Sequence, residues 1–208
     1  AAFRAADLGR EVTLVDKDPT LGGVCLNRGC IPSKTLLHIA KVLEEAESLK
    51  KMGVTFTKPT IDIDLVRDWK NKVVSQLSGG IGQMAKARKV NTIQAEATFL
   101  SDNEVQLKSE SSTEIITFDH CIIASGSSSS IIPGIPFDNE NVLNSKKALD
   151  LEKIPKSLLV IGGGYIGLEM GTVFSALGSS VSLAEFLPNL LPGADLSLIH
   201  ISEPTRPC

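Results

Sequence analysis

The sequence predicts an α/β protein, and three features carry that prediction. A glycine-rich turn joins an apolar strand to a helix in "SLLVIGGGYIGLEMG", which begins at Ser157. The chain opens with a helical pattern, a glycine and a strand that ends on an acid, "AAFRAADLGREVTLVD". Between these stretches, three short segments are rich in alternating or β-branched residues. Together they predict two nucleotide-binding βαβ units and a small antiparallel β-meander.

The composition is that of a globular protein. Of the 208 residues, 42% are hydrophobic and 22% are charged, so a packed core is expected. The net charge of −3 gives no reason to expect a nucleic-acid partner or an anionic membrane surface. No apolar run reaches the roughly 18 residues of a membrane-spanning helix. The four cysteines indicate a reducing compartment with one special thiol pair, because a disulfide-stapled scaffold needs more.

The first half of the chain is predicted to be mainly helical. Residues 1–8 have helical spacing, and Gly9 stands where a C-terminal cap belongs. After the strand "EVTLVD", the segment "PSKTLLHIAKVLEEAESLKKMG" predicts a helix closed by Gly53. Apolar residues at helical spacing predict another helix over residues 61–89, interrupted at the pair Gly79 and Gly80.

The second half is predicted to be mainly strands. "VNTIQAEATFL", "EVQLKSE" and "TEIITF" predict three antiparallel strands, and "HCIIASGS" predicts a further apolar strand. The segment "IIPGIPFDNENV" predicts a linker, because it is rich in proline and glycine. We therefore expect a first domain over residues 1–145 and the start of a second over residues 146–195. Both ends look incomplete, so a fragment is expected.

The glycine turn predicts a dinucleotide site. Gly162, Gly164 and Gly167 give the spacing G-x-G-x-x-G, which serves a tight turn, close backbone approach to a pyrophosphate and close helix–strand packing. Glu185 ends the next strand, where a carboxylate accepts hydrogen bonds from the adenosine ribose and repels a 2′-phosphate. No arginine follows it closely, which favours NAD over NADP. The alternative is a glycine-rich turn beside an unrelated surface glutamate.

The start of the chain has the order expected for the second half of a similar unit. By this interpretation Asp16 is the ribose acid of a first dinucleotide site. An ordinary amphipathic helix and strand is the alternative, because the glycine turn of such a unit is not in the sequence.

Two cysteines, Cys25 and Cys30, lie five positions apart in "GGVCLNRGCIPSK". They could form half of a zinc site, two unrelated core residues or a redox pair. The other cysteines and histidines form no second pair at the spacing of structural zinc ligands, so no metal is expected. Pro32 marks the first turn of a helix, where a thiolate is stabilised, and Lys34 either adds positive charge or anchors a neighbouring acid. A redox pair beside two dinucleotide units implies a flavin between nicotinamide and disulfide.

The stretch "LGGVCLNRGCIPSKTLLH" resembles the redox-disulfide motif of the flavin disulfide reductases, in the form most similar to bacterial dihydrolipoamide dehydrogenases. The likeness continues through "DIDLVRDWKNKVVSQLSGGIGQMAK" and "GGGYIGLEMGTVFSALGS". The resemblance implies two Rossmann-like domains of the three-layer ββα type that bind FAD and NAD. It also implies reoxidation of dihydrolipoamide on the lipoyl domain of a 2-oxo acid dehydrogenase complex. A homodimer is implied, in the bacterial cytoplasm or the mitochondrial matrix.

The same resemblance implies the site residues. Cys25 is the interchange thiol, Cys30 faces the flavin, Lys34 pairs with Glu169 near the flavin, and Tyr165 lies at the nicotinamide pocket. The implied FAD contacts are Asp16, Gly22, Gly23, Lys34, Ser125 and Gly126, and the implied NAD contacts are Gly162, Gly164, Tyr165, Gly167 and Glu185.

The sequence departs from the family pattern at several points. The first glycine turn, a later FAD-contacting aspartate and the dimerisation domain with its histidine–glutamate acid–base pair are absent, so we expect the chain alone to be inactive. His38 and His120 are expected to be packing or surface residues. "LSLIHISEPTRPC" does not resemble the family, so residues 196–208 are predicted to be a non-native tail in which His200 and Cys208 have no role.

Three alternatives to this function remain open. The first is a related glutathione- or mercuric-reductase-type flavin disulfide reductase, which differs in its preference for NADH and lipoamide. The second is a non-enzymatic thiol switch, which would show disulfide chemistry without bound flavin. The third is a chain that fails to fold, because an exposed sheet edge invites aggregation.

Overall fold

The computed structural model describes residues 1–191 and residue 194, and it confirms the α/β class. The predicted tail over residues 196–208 lies outside the described residues. Within the described part, the elements in chain order are α1 (Ala2–Asp7), β1 (Thr13–Asp16), α2 (Gly23–Arg28), α3 (Cys30–Ser48), a 3₁₀ helix (Leu49–Met52), α4 (Ile63–Ala87), β2 (Asn91–Gln94), β3 (Glu96–Phe99), β4 (Glu104–Lys108), β5 (Thr113–Thr117), α5 (Ser145–Asp150), β6 (Ser157–Ile161), α6 (Tyr165–Ala176) and β7 (Ser180–Ala184).

The chain divides into two compact units. Unit 1 combines Ala1–Pro32 with Asn71–Pro133, and unit 2 combines Ser33–Lys70 with the chain from Gly134 onward. These units do not coincide with the predicted domains, since most of α3 packs with the later part of the chain. The division into an FAD domain over residues 1–145 and an NAD domain over residues 146–195 stays a prediction.

Unit 1 contains a parallel strand pair and an antiparallel meander. Strands β1 and β2 pair in parallel, from Thr13 opposite Asn91 to Asp16 opposite Gln94. Strands β3, β4 and β5 form the meander in that order. The prediction of a single meander strand in "VNTIQAEATFL" is therefore wrong, because its first half joins β1. The change occurs at Ala95, whose N–H donates to the Asp16 carbonyl at 3.1 Å.

A small apolar cluster holds the two sheets of unit 1 together. Its buried members are Ala95, Val105 and Leu107, and residues of both sheets, Val15 and Ile93 of the pair and Ile116 of the meander, pack against it with Phe118. Buried residues alternate with more accessible ones along β4, as expected from the two-residue period of a strand with one covered face.

The predicted strand "HCIIASGS" does not form. Residues 120–132 have no regular secondary structure. Ile122 is 69% exposed and Ile123 is 73% exposed. A strand needs a neighbour for its backbone hydrogen bonds, and no described strand pairs with this segment. An apolar run alone therefore predicted the wrong structure here.

Unit 2 contains the predicted strand, glycine turn, helix and strand. Strands β6 and β7 pair in parallel from Ser157 opposite Ser180 to Ile161 opposite Ala184. Helix α6 connects them and buries Val173 and Phe174, each 1% exposed. The core cluster also takes residues from α3, α5 and the segment after α5: Leu36, Ala148, Leu149, Leu151, Met170 and Leu177.

Two predicted glycine caps are confirmed, but the interruption predicted inside α4 is wrong. Gly9 has φ +80° after α1 and Gly53 has φ +89° after the 3₁₀ helix, as expected for C-terminal glycine caps. Helix α4 runs without interruption through Gly79 and Gly80. A helix tolerates interior glycines at a cost of about 0.5–1 kcal/mol each relative to alanine, so they did not end it.

Two cations of α4 hold the end of α5. Lys70 is 4% exposed, and its Nζ donates to the Leu149 carbonyl at 2.6 Å. Arg67 donates through Nε to the Leu151 carbonyl at 3.3 Å. Carbonyls at a helix C-terminus lack partners within the helix, so these cations satisfy them and complement the helix dipole. Burial lowers the pKa of Lys70, and the nearby Asp150 carboxylate opposes that change.

Candidate nucleotide and disulfide sites

The two predicted redox cysteines lie on either side of a break between helices. Cys25 is in α2, Cys30 is the first residue of α3, and Gly29 separates the helices with φ −145° and ψ −109°. A Cβ on Gly29 would lie 2.9 Å from the Val24 carbonyl oxygen and 3.3 Å from the Cys25 Cα. Only glycine fits so close to that backbone. The chain therefore passes directly beside Cys25 just before it reaches Cys30.

Both cysteines are exposed, and Cys30 begins a helix of 19 residues. Pro32 is its third residue, so the predicted helix start is confirmed. Cys30 therefore occupies the positive end of the α3 dipole. The disulfide between Cys25 and Cys30 and their two separate roles stay predictions.

The loop between β1 and α2 is fixed by polar contacts. The Asp16 carboxylate accepts the Asp18 N–H at 3.0 Å, and Asp18 in turn forms an ion pair with Arg28 of α2. Gly22 has φ +123°, and a Cβ there would lie 2.2 Å from the Leu26 Cδ2. Position 22 therefore needs glycine, and the ion pair joins the last residue of α2 to the loop that follows β1.

A second loop of unit 1 reaches the same helix. Ser125 and Gly126 are exposed, and Gly126 has φ +76°. A Cβ on Gly126 would lie 3.7 Å from the Val24 Cγ2. The structure thus brings the predicted Ser125 and Gly126 turn to Val24, the second residue of α2. Binding of FAD by these residues stays a prediction.

The ion pair predicted between Lys34 and Glu169 is present in unit 2. Lys34 Nζ lies 2.9 Å from Glu169 Oε1 and joins α3 to α6. The lysine side chain is 63% exposed, so the contribution of this ion pair to stability is small, about 1 kcal/mol or less. The role of this pair near the flavin stays a prediction.

The glycines of the turn before α6 have the geometries that their predicted roles require. Gly162 has φ +103°, which permits the tight turn. A Cβ on Gly167 would lie 2.3 Å from the Gly162 carbonyl oxygen and 3.0 Å from the Val160 Cγ1, so close helix–strand packing demands glycine. Gly164 caps α6 and has open space around it, where a ligand phosphate could approach the backbone. Tyr165 is 70% exposed at the same end of the helix.

Glu185 lies directly against this turn. Its Oε2 accepts the Gly163 N–H at 2.6 Å, and its Oε1 accepts the Leu187 N–H at 2.7 Å. The hydrogen bonds from the N–H groups of Leu187 and Gly163 hold the pKa of this carboxyl below its usual range. Sequence reasoning missed Gly163. The only signal was a glycine at a position that the motif leaves open.

Other candidate groups gather into no site among residues 1–191 and 194. His38 and His120 are exposed, as expected for surface residues. No group of three or more histidine, cysteine or acidic residues in this part of the chain could hold a metal ion. Within the same residues, no helix has both the length and the apolar character needed to cross a membrane.

The family model of the pyridine nucleotide-disulphide oxidoreductases matches residues 1–203. The chain belongs to this family. Its membership confirms the resemblance inferred from "LGGVCLNRGCIPSKTLLH", and it agrees with a structure that places the cysteine pair and the glycine turn on an α/β framework.

Relatives of this pyridine nucleotide-disulphide oxidoreductase include dihydrolipoyl dehydrogenases. The protein of that name from Vibrio cholerae is 46% identical over 201 residues, which cover 97% of this chain and 42% of the relative. The one from Haemophilus influenzae is 48% identical over 202 residues, with the same coverage of both chains. The chain therefore spans about 42% of the length of these curated relatives.

Solved structures show the same architecture. The HOCl-induced flavoprotein disulfide reductase RclA from Escherichia coli is similar with a TM-score of 0.77 and 26% identity, over 93% of this chain and 41% of that one. Its Cu(II) complex gives a TM-score of 0.75 and 28% identity, over 94% of this chain and 41% of that one. Both similarities confirm the predicted flavin disulfide reductase fold.

Proposed function

We propose that this chain carries the redox disulfide of an FAD-dependent, NAD-linked dihydrolipoyl dehydrogenase, which reoxidises protein-bound dihydrolipoamide. The observation that carries the proposal is the Gly29 contact, which sets the backbone before Cys30 against Cys25 at a break between two helices. The substrate follows from relatives named dihydrolipoyl dehydrogenase that are 46% identical over 97% of the chain.

The proposed exchange uses only the two cysteines and the two thiols of the substrate. A thiolate of dihydrolipoamide attacks the Cys25 sulfur, the Cys25–Cys30 bond breaks, and Cys30 leaves as a thiolate. The second lipoyl thiolate then attacks the mixed disulfide and releases Cys25, so that lipoamide leaves oxidised. The cysteine pair gains two electrons and the substrate thiols lose two protons. A base must accept these protons.

The residues of the two units fit the two cofactors. Gly164 leaves open space at the start of α6 where a pyrophosphate fits, and the Glu185 carboxylate can accept a hydrogen bond from a ribose hydroxyl. In unit 1, Asp16 ends the strand before α2, Gly23 begins α2, and Gly126 of the Ser125–Gly126 turn lies close to Val24, which supports the FAD assignment. When bound, FAD would accept the two electrons of the cysteine pair and pass a hydride to NAD⁺.

The partner assignment belongs to the same proposal. The lipoyl domain of a 2-oxo acid dehydrogenase complex is the proposed macromolecular substrate, and the full-length enzyme is proposed to be a homodimer in the bacterial cytoplasm. The names of the relatives support this assignment over the glutathione- and mercury-directed alternatives.

An anaerobic absorption titration of the full-length enzyme with NADH tests the proposal. We expect a long-wavelength charge-transfer band that oxidised lipoamide discharges. Cys30→Ser should abolish the band, and Cys25→Ser should keep it but lose the reaction with lipoamide. Cys121→Ser is the matched control, since Cys121 is exposed but lies outside the motif, and it should change neither result.

Two outcomes would contradict the proposal in different ways. A flavin that bleaches fully without a charge-transfer band would mean that the cysteines do not exchange electrons with it. If oxidised glutathione or Hg²⁺ discharged the band and lipoamide did not, the substrate assignment would be wrong. The assignment of Cys25 and Cys30 as the redox pair would stand.

A further inference from the structure

Gly163 has no role in the dinucleotide motif, yet its surroundings demand glycine. It stands between Gly162 and Gly164, at a position that the spacing G-x-G-x-x-G leaves open. Unlike Gly162, it does not have a positive φ. Its backbone conformation is therefore open to alanine, and the reason for glycine must lie in its contacts.

Three contacts join Gly163 to the segment that follows β7. Its N–H donates to Glu185 Oε2 at 2.6 Å, and its carbonyl accepts the Leu191 N–H at 2.9 Å. A Cβ on Gly163 would lie 2.5 Å from Leu190 Cδ2 and 3.2 Å from Glu185 Oε2. The segment from Glu185 to Leu191 therefore packs on Gly163, and the absence of a side chain makes room for it.

We propose that Gly163 is the positioning residue for nucleotide specificity, because it holds the Glu185 carboxylate where this carboxylate selects NAD over NADP. This inference rests on the proposed use of NAD. A carboxylate oxygen has two acceptor sites, and each oxygen of Glu185 uses one for a backbone N–H. The remaining acceptor sites suit the hydroxyls of a ribose, whereas the negative charge repels a 2′-phosphate.

An alanine at position 163 would displace the Glu185 carboxylate, whereas the Leu190 side chain could adapt to it. The Leu190 contact involves the end of a flexible side chain, which can rotate away. The Glu185 carboxylate accepts one backbone N–H at each oxygen, so it cannot move away from position 163 without weakening at least one of these two hydrogen bonds. The expected result is a displaced carboxylate in an otherwise intact turn.

Binding of NADH and NADPH to the whole chain, followed by nucleotide fluorescence, tests the inference. The wild type should prefer NADH, and Gly163→Ala should lower that preference about tenfold, the size of one charge-assisted hydrogen bond. Gly164→Ala is the comparison variant. It should weaken the binding of NADH and of NADPH by the same factor, because a Cβ there meets only the open space assigned to the pyrophosphate.

Leu190→Ala distinguishes the effect of the Leu190 contact from that of the Glu185 contact. Alone it should keep the NADH preference, and in Gly163→Ala/Leu190→Ala the preference should stay low, because the Glu185 contact remains. A double variant with full preference would assign the effect to Leu190 and overturn the inference.

A titration of the Glu185 carboxyl by NMR gives a readout that needs no nucleotide. In the wild type its pKa lies below the usual range, and the causes are backbone N–H groups, those of Leu187, Gly163 and Phe186. Gly163→Ala should raise this pKa towards the ordinary value, because the displaced carboxylate accepts a weaker hydrogen bond from the backbone N–H of residue 163. An unchanged pKa, or unchanged preference for NADH, would overturn the positioning role alone. A wild-type chain that binds neither nucleotide would overturn the NAD assignment itself.

Discussion

Gly29 determines how closely the two cysteine-bearing helices meet. Its neighbours are backbone atoms of Val24 and Cys25, which cannot rotate away as a side chain can. We expect Gly29→Ala to destabilise the fold by about 1–3 kcal/mol, the usual cost of overpacking. It should also weaken the proposed disulfide between Cys25 and Cys30, because the two helix ends are pushed apart. Urea unfolding and the equilibrium with dithiothreitol measure the two effects.

Gly79→Ala is the matched control for that substitution. Gly79 lies inside α4, and a Cβ there meets nothing within 4 Å. The same chemical change should therefore stabilise the protein by about 0.5–1 kcal/mol, since alanine is the better helix former. If Gly29→Ala behaved like Gly79→Ala and left the disulfide equilibrium unchanged, the proposed role of Gly29 would be wrong.

Single residues were predictable where covalent spacing fixes their chemistry. The cysteine pair, the helix start at Cys30 and the partner of Lys34 follow from a motif or from a family resemblance to it. Gly29 and Gly163 were not assigned these roles, because their importance lies in atoms that approach from other parts of the chain. A sequence shows that a glycine is present but not what stands beside it.

The contact between α4 and the end of α5 allows the contribution of a buried charge, that of Lys70, to the stability of the protein to be measured. Lys70→Met removes the hydrogen bond from Nζ to the Leu149 carbonyl. We expect a loss of about 1 kcal/mol at pH 7, since removal of a buried charge offsets part of the lost hydrogen bond. Lys72→Met, an exposed position on the same helix, should stay within about 0.5 kcal/mol of the wild type.

The pH dependence of this effect has a definite sign. The pKa of Lys70 is lowered in the folded protein from an unfolded value of 10.5. Between the lowered value and 10.5 the unfolded state binds more protons, so the stability of the wild type rises with pH. Lys70→Met lacks this rise, and its deficit should grow towards pH 10.5 in urea unfolding. A deficit that shrinks with pH would contradict the assigned burial effect.

Strands were predicted less well than helices, and the failures have one cause. Helices α3 and α4 follow from local spacing and caps. The segment 90–100 was assigned to one sheet, although its first half pairs with β1, which lies more than 70 residues earlier. The segment 120–127 was predicted as a strand although no described strand lies alongside it. Strand pairing is non-local, so a local pattern cannot decide it.

The described part of the chain has small sheets and several exposed apolar side chains. Two of its three sheets have only two strands, and Ile122 and Ile123 are both more than two-thirds exposed. Such edges and patches favour self-association. We expect Ile122→Lys/Ile123→Lys to lower concentration-dependent light scattering while the circular dichroism spectrum stays unchanged.

Ser129→Lys/Ser130→Lys adds the same two charges to the same exposed loop and removes no apolar surface. It should leave the scattering unchanged. Equal scattering from both double variants would show that net charge, and not the isoleucine pair, governs self-association.

Strands β2 and β3 belong to different sheets and are separated only by Ala95. This arrangement limits the positions at which the chain tolerates insertions and deletions. Turns at residues 100–103 and 109–112 connect meander strands and face solvent, so insertions there would lengthen only a loop. An insertion or deletion beside Ala95 would shift β2 by one residue against β1 and turn its side chains to the opposite face. It would also move the hydrogen bond that the Ala95 N–H gives to Asp16. Length variants accumulated by evolution or by design should therefore cluster in the two turns and avoid Ala95.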